Sequence, residues 1–454
     1  MIGTQTARRA PSPEGNDIAL HPGECLGYQN GSLHQEQACL EQLARAVGTP
    51  VYCYSLKAIQ DAFDRFHHAL TPIGVDLCFA VKANGNIAVL RALAQSGAGA
   101  DIVSEGELTR SLVAGMAADR IIFSGAGKTR REIDTAIRAG VGRINVESPT
   151  ELEWVLQSAV EQGRRPAVSL RLNPDIDAGT HAKITTGTRE NKFGMLLADV
   201  RQLFLRHSNS EAISLTGLAV HIGSQIMDLG PYRNTYAYLR EQVLRLRSEG
   251  CTVDHLSLGG GVGISYDGSQ EISPEAFADV IGSELGDLGC RMSVELGRAI
   301  VARAGILIAE TVHIKHNPER RFVFIDGGMN DLLRPALYDA RHPVVTIEQS
   351  AGQEYKPCDL VGPVCESSDV FGRDVSLPEM RQGSLIALRM AGAYGAVMAS
   401  TYNGRSLVPE VLVSGDRFEV IRERQNVSRQ IEWERIPQWI QNSDDTSLRG
   451  SADE

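Results

Sequence analysis

The sequence contains no run of about 18 apolar residues, the length a helix needs to cross a bilayer, and no charged-then-apolar leader at its start. A cytoplasmic protein is therefore expected. Dense Lys/Arg tracts are also missing. The 45 basic residues are outnumbered by 56 acidic ones, for a formal net charge of -11, so neither nucleic acid nor a membrane surface is the expected partner. A local basic pocket for a small anion stays compatible with that balance. The eight cysteines (Cys25, Cys39, Cys53, Cys78, Cys251, Cys290, Cys358 and Cys365) form no CxxC pair and no Cys/His cluster at zinc spacing. They read as free thiols, and no metal is expected. Sequence repeats and low-complexity tracts are absent as well.

What is present is a core large enough for two domains, with 454 residues of which 43% are hydrophobic. Residues 1–20 and 441–454 are polar, and the first of these segments is punctuated by Pro and Gly; both are expected to be disordered tails. Between them, short apolar runs recur at 75–81, 101–103, 120–123, 143–146, 167–172, 218–221, 255–258 and 291–294, with helical patterns between them. One helix start is well specified. Ser148 suits the N-cap, Pro149 the first turn, and Glu151 a capping box. Eight alternating units predict an α/β fold, a (β/α)8 TIM-type barrel over 46–305, with a doubly wound open sheet as the alternative. From 306 the pattern turns to short strands without helices, which predicts a C-terminal antiparallel β domain, sandwich or barrel, over 306–440 joined by 21–45. The run Val51-Tyr52-Cys53-Tyr54 is a further candidate for that second domain.

A barrel places its chemistry at the C-terminal ends of its strands. The residues found there are Lys82, Ser104-Glu105, Ser124 to Lys128, Glu147-Ser148, Asn173, His221 to Ser224, Gly259 to Gly263, and Glu295 to Arg298. Lys82 follows a strand that is apolar at nearly every position. Poor solvation there should lower its pKa and favour the neutral amine that condenses with a carbonyl. Gly259-Gly260-Gly261 follows the seventh strand, where backbone N–H groups can approach a phosphate without a Cβ in the way. No Gly-Lys-Ser/Thr follows, so it is not a Walker A loop. A lysine amine, a phosphate cradle, a carboxylate (Glu295) and an arginine together suggest pyridoxal 5'-phosphate, whose ring nitrogen needs an acidic partner. His221 either stacks on that ring or is a hydrogen-bonded structural histidine.

Phe79-Ala80-Val81-Lys82-Ala83-Asn84, His221-Ile222-Gly223-Ser224-Gln225, Gly259-Gly260-Gly261, Glu295-Leu296-Gly297-Arg298, Cys365-Glu366-Ser367 and Gly392-Ala393-Tyr394-Gly395 occur in this order. In that order the chain, from about Tyr28 to about Ile421, resembles the diaminopimelate decarboxylases. These are barrel-fold pyridoxal-phosphate enzymes whose relatives include ornithine and arginine decarboxylases. The resemblance implies decarboxylation of meso-2,6-diaminopimelate to L-lysine, the last step of lysine biosynthesis. It implies that Lys82 carries the cofactor and that Ser224, Gly260, Gly261, Gly297 and the backbone of Arg298 hold its phosphate. It also puts Glu295 on the ring nitrogen, with His221 and Tyr394 beside the ring. Cys365 matches a proton donor that reaches the site from the second subunit of a homodimer. Arg298, Arg334, Tyr338, Glu366 and Tyr394 match positions holding the distal end of the substrate. Leu296, Ser368 and Met390 depart from the family pattern and bear on substrate identity. The alternatives are a sibling decarboxylase acting on a carrier-tethered amino acid, a carboxylated polyamine, ornithine or arginine, or a non-catalytic barrel that binds the cofactor.

Overall fold

Val75–Ala80 is buried at five of its six positions, as a strand covered on both sides must be. In the computed structural model, which describes residues 23–176, 192–350 and 352–440, it pairs in parallel with Gly99–Ile102 on one side and Arg291–Leu296 on the other. The remaining strands, Ile121–Phe123, Arg143–Val146, Ala167–Arg171, Ser214–Ala219 and His255–Ser257, complete a closed eight-stranded parallel barrel. Each of the eight strands overlaps one of the eight apolar runs of the sequence, with the sixth, Ser214–Ala219, beginning four residues before its run. The two tails, 1–20 and 441–454, lie outside the described residues.

Helices cover the barrel, and their caps show why they begin where they do. The Ser55 hydroxyl accepts from the Ala58 N–H at 2.9 Å and opens Leu56–Leu70. Ser148 likewise accepts from the Glu151 N–H at 3.1 Å, with Pro149 in the first turn. The expected capping box is only half formed. Instead of returning to Ser148, the Glu151 carboxylate accepts from the Glu147 N–H and pairs with Lys128 at 2.7 Å, because a buried ammonium there demands a counter-charge.

The second domain is a nine-stranded sheet. Its main path runs Val370–Leu377, Lys356–Val361, Arg321–Ile325, Gly305–His316, Val51–Ser55, Glu410–Ser414 and Arg417–Arg422; Leu385–Leu388 branches from Gly305–His316, and Val344–Thr346 pairs with Leu385–Leu388. It is mainly antiparallel, with parallel pairing of Phe322–Phe324 to Asp359–Val361 and of Val51–Ser55 to Glu410–Ser414. Val51–Ser55 thus belongs to this sheet, as its candidacy for the second domain has it, and the expected barrel boundary at 46 falls too early. All five of its residues are buried, and such a run does not say which sheet buries it. Val370–Leu377 escaped the sequence reading because Gly372, Arg373 and Asp374 interrupt it, and Asp374 has a left-handed φ of 54° at a bulge. Leu26–Gln29, Ser32–Gln35 and Ala38–Cys39 form a separate small sheet. Among the described residues no helix is long and apolar enough to cross a membrane.

The two domains meet beside Lys82. Asn84 Nδ2 donates to the Gly392 carbonyl at 3.1 Å, and the Tyr394 N–H donates to the Ala83 carbonyl at 2.8 Å. One turn further, Glu410 accepts from Asn86 Nδ2 at 2.9 Å and from the Tyr54 hydroxyl at 2.5 Å, and it pairs with Arg422. These bonds fix where the second domain delivers Tyr394 over the barrel mouth.

Candidate active site

A cavity of about 800 Å³ opens at the C-terminal ends of the barrel strands, lined by Lys82, His221, Ser224, Glu295, Arg298, Arg334, Tyr338 and Tyr394 among others. That volume suits a cofactor together with a small substrate.

Lys82 lies in a tight turn, Val81–Ala83, directly after the first barrel strand, with its side chain 37% exposed to the cavity. Its Nζ stands 3.5 Å from Asp101 Oδ2. The expected drop in its pKa is not what the structure gives. Burial does pull it down, but Asp101 and Tyr394 outweigh burial and the group titrates above its ordinary value. The sequence displays the apolar neighbours; pairing of the first strand with the second, Ala80 opposite Asp101, is what brings the acid alongside.

Glu295 projects from the last barrel strand and its Oε1 accepts from the hydroxyls of Ser257 at 2.8 Å and Ser293 at 3.1 Å. Burial, and then the charge of Asp101, hold its carboxyl well above the usual range, against the pull of the two serines and Lys82. Among the described residues this buried acid forms no ion pair, Lys82 being paired with Asp101 instead.

The glycine run has a packing reason of its own. A Cβ on Gly260 would lie 1.9 Å from the Glu295 carbonyl oxygen, and one on Gly261 2.2 Å from that of Gly223. Gly259 and Gly261 also adopt φ of 71° and 94°. Close packing of three chain segments thus already demands glycine. Moreover the Gly260 N–H donates to His221 Nδ1 at 3.2 Å, so that donor is spent inside the protein. His221 is then a neutral ring with its proton on Nε2, because burial, Lys82 and Arg171 all oppose a charge. Gly297 is held the same way, its Cβ position 2.8 Å from that of Ala83.

Arg298 donates to the Ser224 hydroxyl at 3.2 Å and the Tyr266 hydroxyl at 3.3 Å, and its guanidinium lies 4.9 Å over the Tyr394 ring. Arg334 lies 5.0 Å over the other ring, that of Tyr266, and donates to His342 Nε2 at 2.9 Å. His342 is kept neutral, its pKa pushed down to about 3 by burial and Arg334, and its Nδ1–H donates to the Arg389 carbonyl. Both arginines are buried, and among the described residues neither has a carboxylate partner. Buried cations are normally paired, so the cavity is built to receive anions.

Cys365 and Glu366 are not brought to this cavity. They lie on an exposed loop of the second domain, where the Cys365 N–H donates to Asn403 Oδ1 at 3.3 Å and Tyr402 donates to Glu366 at 2.6 Å. Ser368 is exposed on the same loop, while Leu296 is buried in the last barrel strand and Met390 in the second domain. None of these three lines the cavity.

Sequence reasoning missed Asp101, Asn145, Ser257, Tyr266, Ser293 and His342. Asp101 had a legible signal, an acid inside the fully buried run Gly99–Ile102. Tyr266 and His342 lie in loops and had none.

The residues present fit pyridoxal phosphate. An amine faces the cavity, a buried acid there awaits a cation, and two arginines await anions. These are complementary to a carbonyl, a protonated ring nitrogen, and phosphate or carboxylate groups.

Residues 56–302 match the model of the pyridoxal-dependent decarboxylase, pyridoxal binding domain. The chain is 40% identical over 420 residues to the diaminopimelate decarboxylase of Zymomonas mobilis, covering 91% of this chain and 99% of that one. It is 41% identical over 401 residues to that of Haemophilus influenzae, covering 88% and 96%. Among solved structures, diaminopimelate decarboxylase from Helicobacter pylori complexed with L-lysine matches with a TM-score of 0.83 at 39% identity, over 87% of this chain and 98% of that one. The enzyme from M. jannaschii in co-complex with L-lysine matches with a TM-score of 0.86 at 33% identity, over 91% and 98%.

Proposed function

This chain belongs to the diaminopimelate decarboxylases, pyridoxal-dependent enzymes, and from that premise we propose how its own residues decarboxylate meso-diaminopimelate to L-lysine. The observation that carries the substrate assignment is the pair of buried arginines, Arg298 and Arg334, without a carboxylate partner among the described residues.

Pyridoxal phosphate, held by Lys82, supplies a ring that accepts the electron pair left when CO2 departs. Glu295 would meet the ring nitrogen, and His221, as a neutral imidazole, would lie against the ring. Ser224, the backbone of Gly261, and the backbone of Gly297 and Arg298 would hold the phosphate, the Gly260 N–H donating to His221. The side chains of Arg298 and Arg334 bind the distal carboxylate, with Tyr338 and Tyr394 beside them. Tyr266 keeps the two guanidinium groups in place, one on its hydroxyl and one on its ring. Ornithine or arginine would leave Arg334 buried without an anion, a costly state.

The remaining requirement is an acid that returns a proton to the carbon that lost CO2. Cys365 has that role and Glu366 receives the distal ammonium, both delivered by a second copy of the chain, since within one chain both sit on an exposed loop apart from the cavity. The functional unit is a homodimer in the cytoplasm.

Arg334→Ala tests the substrate side. It is expected to raise KM for diaminopimelate by about 10²-fold, the loss of one charge-assisted bond to a carboxylate, with a smaller effect on kcat. Steady-state CO2 release measures both constants. An unchanged KM would remove Arg334 from the substrate site.

A further inference from the structure

Arg143–Val146 and His255–Ser257 are the fourth and seventh barrel strands and do not pair with each other. A hydrogen bond nevertheless links them, Asn145 Nδ2 to the Ser257 hydroxyl at 3.2 Å, and so it crosses the barrel interior. From Ser257 the chain of contacts continues to Glu295 Oε1 at 2.8 Å, where the Ser293 hydroxyl also donates at 3.1 Å. No part of the reaction described above uses Asn145.

We propose that Asn145 is a positioning residue that sets which way the Ser257 hydroxyl points, so that Ser257 and Ser293 both donate to Oε1 of Glu295 and Oε2 is the oxygen offered to the cofactor's ring nitrogen. The inference rests on the reading of Glu295 as the partner of that nitrogen. A serine hydroxyl has one hydrogen and two lone pairs. When it accepts from the Asn145 amide, its hydrogen is free to go to Glu295. Were the amide oxygen turned toward Ser257, the hydroxyl would donate away from Glu295, and Oε1 would lose a donor. An oxygen that already accepts two hydroxyl hydrogens is a poor site for a proton. The two bonds thus favour the carboxylate, in a place where burial and Asp101 favour the neutral acid and Lys82 opposes them.

The amide is fixed from behind. Lys128, fully buried, donates to the backbone carbonyls of Asn145 at 2.8 Å and Gly125 at 2.6 Å and pairs with Glu151. Asn145 Nδ2 is also held by the Ser124 hydroxyl at 3.1 Å. Strand end, loop and amide therefore form one rigid block facing the acid.

The test is the ring-nitrogen NMR shift of enzyme loaded with pyridoxal phosphate labelled with ¹⁵N in the ring. In the wild type the shift is that of a protonated ring. In the Ser257→Ala/Ser293→Ala double variant, and in Asn145→Asp, whose carboxylate draws the Ser257 hydrogen away from Glu295, it moves toward the unprotonated value. In both, kcat falls about tenfold and KM stays within about twofold. Should Asn145→Asp fail to fold, Asn145→Leu, which removes the amide and adds no charge, takes its place, with a shift in the same direction expected; the double serine variant tests only the two bonds to Oε1. Glu295→Gln separates the two layers of the reading. If Glu295→Gln moves the shift and the other variants do not, the relay is wrong. If Glu295→Gln does not move it either, the assignment of Glu295 itself is wrong.

Discussion

Lys82→Ala is expected to reduce CO2 release by more than about 10⁴-fold, the upper end of what one positioned acid, base or nucleophile contributes. It should also abolish covalent retention of pyridoxal phosphate after borohydride reduction, read by mass spectrometry of the intact chain. The nearby buried lysine offers no substitute, because the Lys128 ammonium is spent on the carbonyls of Gly125 and Asn145 and on Glu151. Lys82→Arg separates charge from nucleophilicity. A guanidinium keeps the attraction to Asp101 but does not give up its proton, so this variant should be as inactive as alanine. Retention of the reduced cofactor on another residue in either variant would show that Lys82 is not the anchor.

The second large effect concerns the loop that the single chain leaves exposed. Cys365→Ala is expected to lower kcat by about 10²- to 10⁴-fold, the usual contribution of a positioned proton donor. Its partner experiment is decisive for where the thiol acts. Lys82→Ala and Cys365→Ala chains are each inactive, but a mixed dimer contains one site with both residues intact. Random re-association of equal amounts should therefore restore about a quarter of wild-type activity, since half the dimers are mixed and each has one working site of two. If Cys365 served its own chain's cavity, mixing would restore nothing. The geometry favours recovery, because Cys365 and Glu366 pack against Asn403 and Tyr402 rather than near Lys82.

What was legible in the sequence follows from how strongly burial constrains each residue. The eight barrel strands are doubly covered and show as short, mostly apolar runs, so the sequence alone sets their ends, and with them Lys82, His221 and Glu295, on one rim. Val51–Ser55 has the same apolar signature, and nothing local distinguishes a strand of the second sheet from one of the barrel. Asn145, Ser257 and Ser293 look like ordinary polar interruptions of apolar strands. Only closure of the barrel sets the fourth strand opposite the seventh and turns them into one network. Lys82 shows the same limit. Its apolar neighbours argued for a depressed pKa, whereas Asp101, nineteen positions away along the chain, reverses the sign. The need for glycine at 259–261 has a second source that the sequence does not display, the neighbouring backbone that fills the space their side chains would occupy.

The central claim is the reaction itself, and product analysis tests it most directly. The purified full-length protein, loaded with pyridoxal phosphate and given meso-diaminopimelate, should release CO2 and L-lysine in equal amounts, with no CO2 from ornithine or arginine under the same conditions. Turnover of ornithine with diaminopimelate left intact would contradict the account, because it would leave Arg298 and Arg334 without the carboxylate that their burial requires.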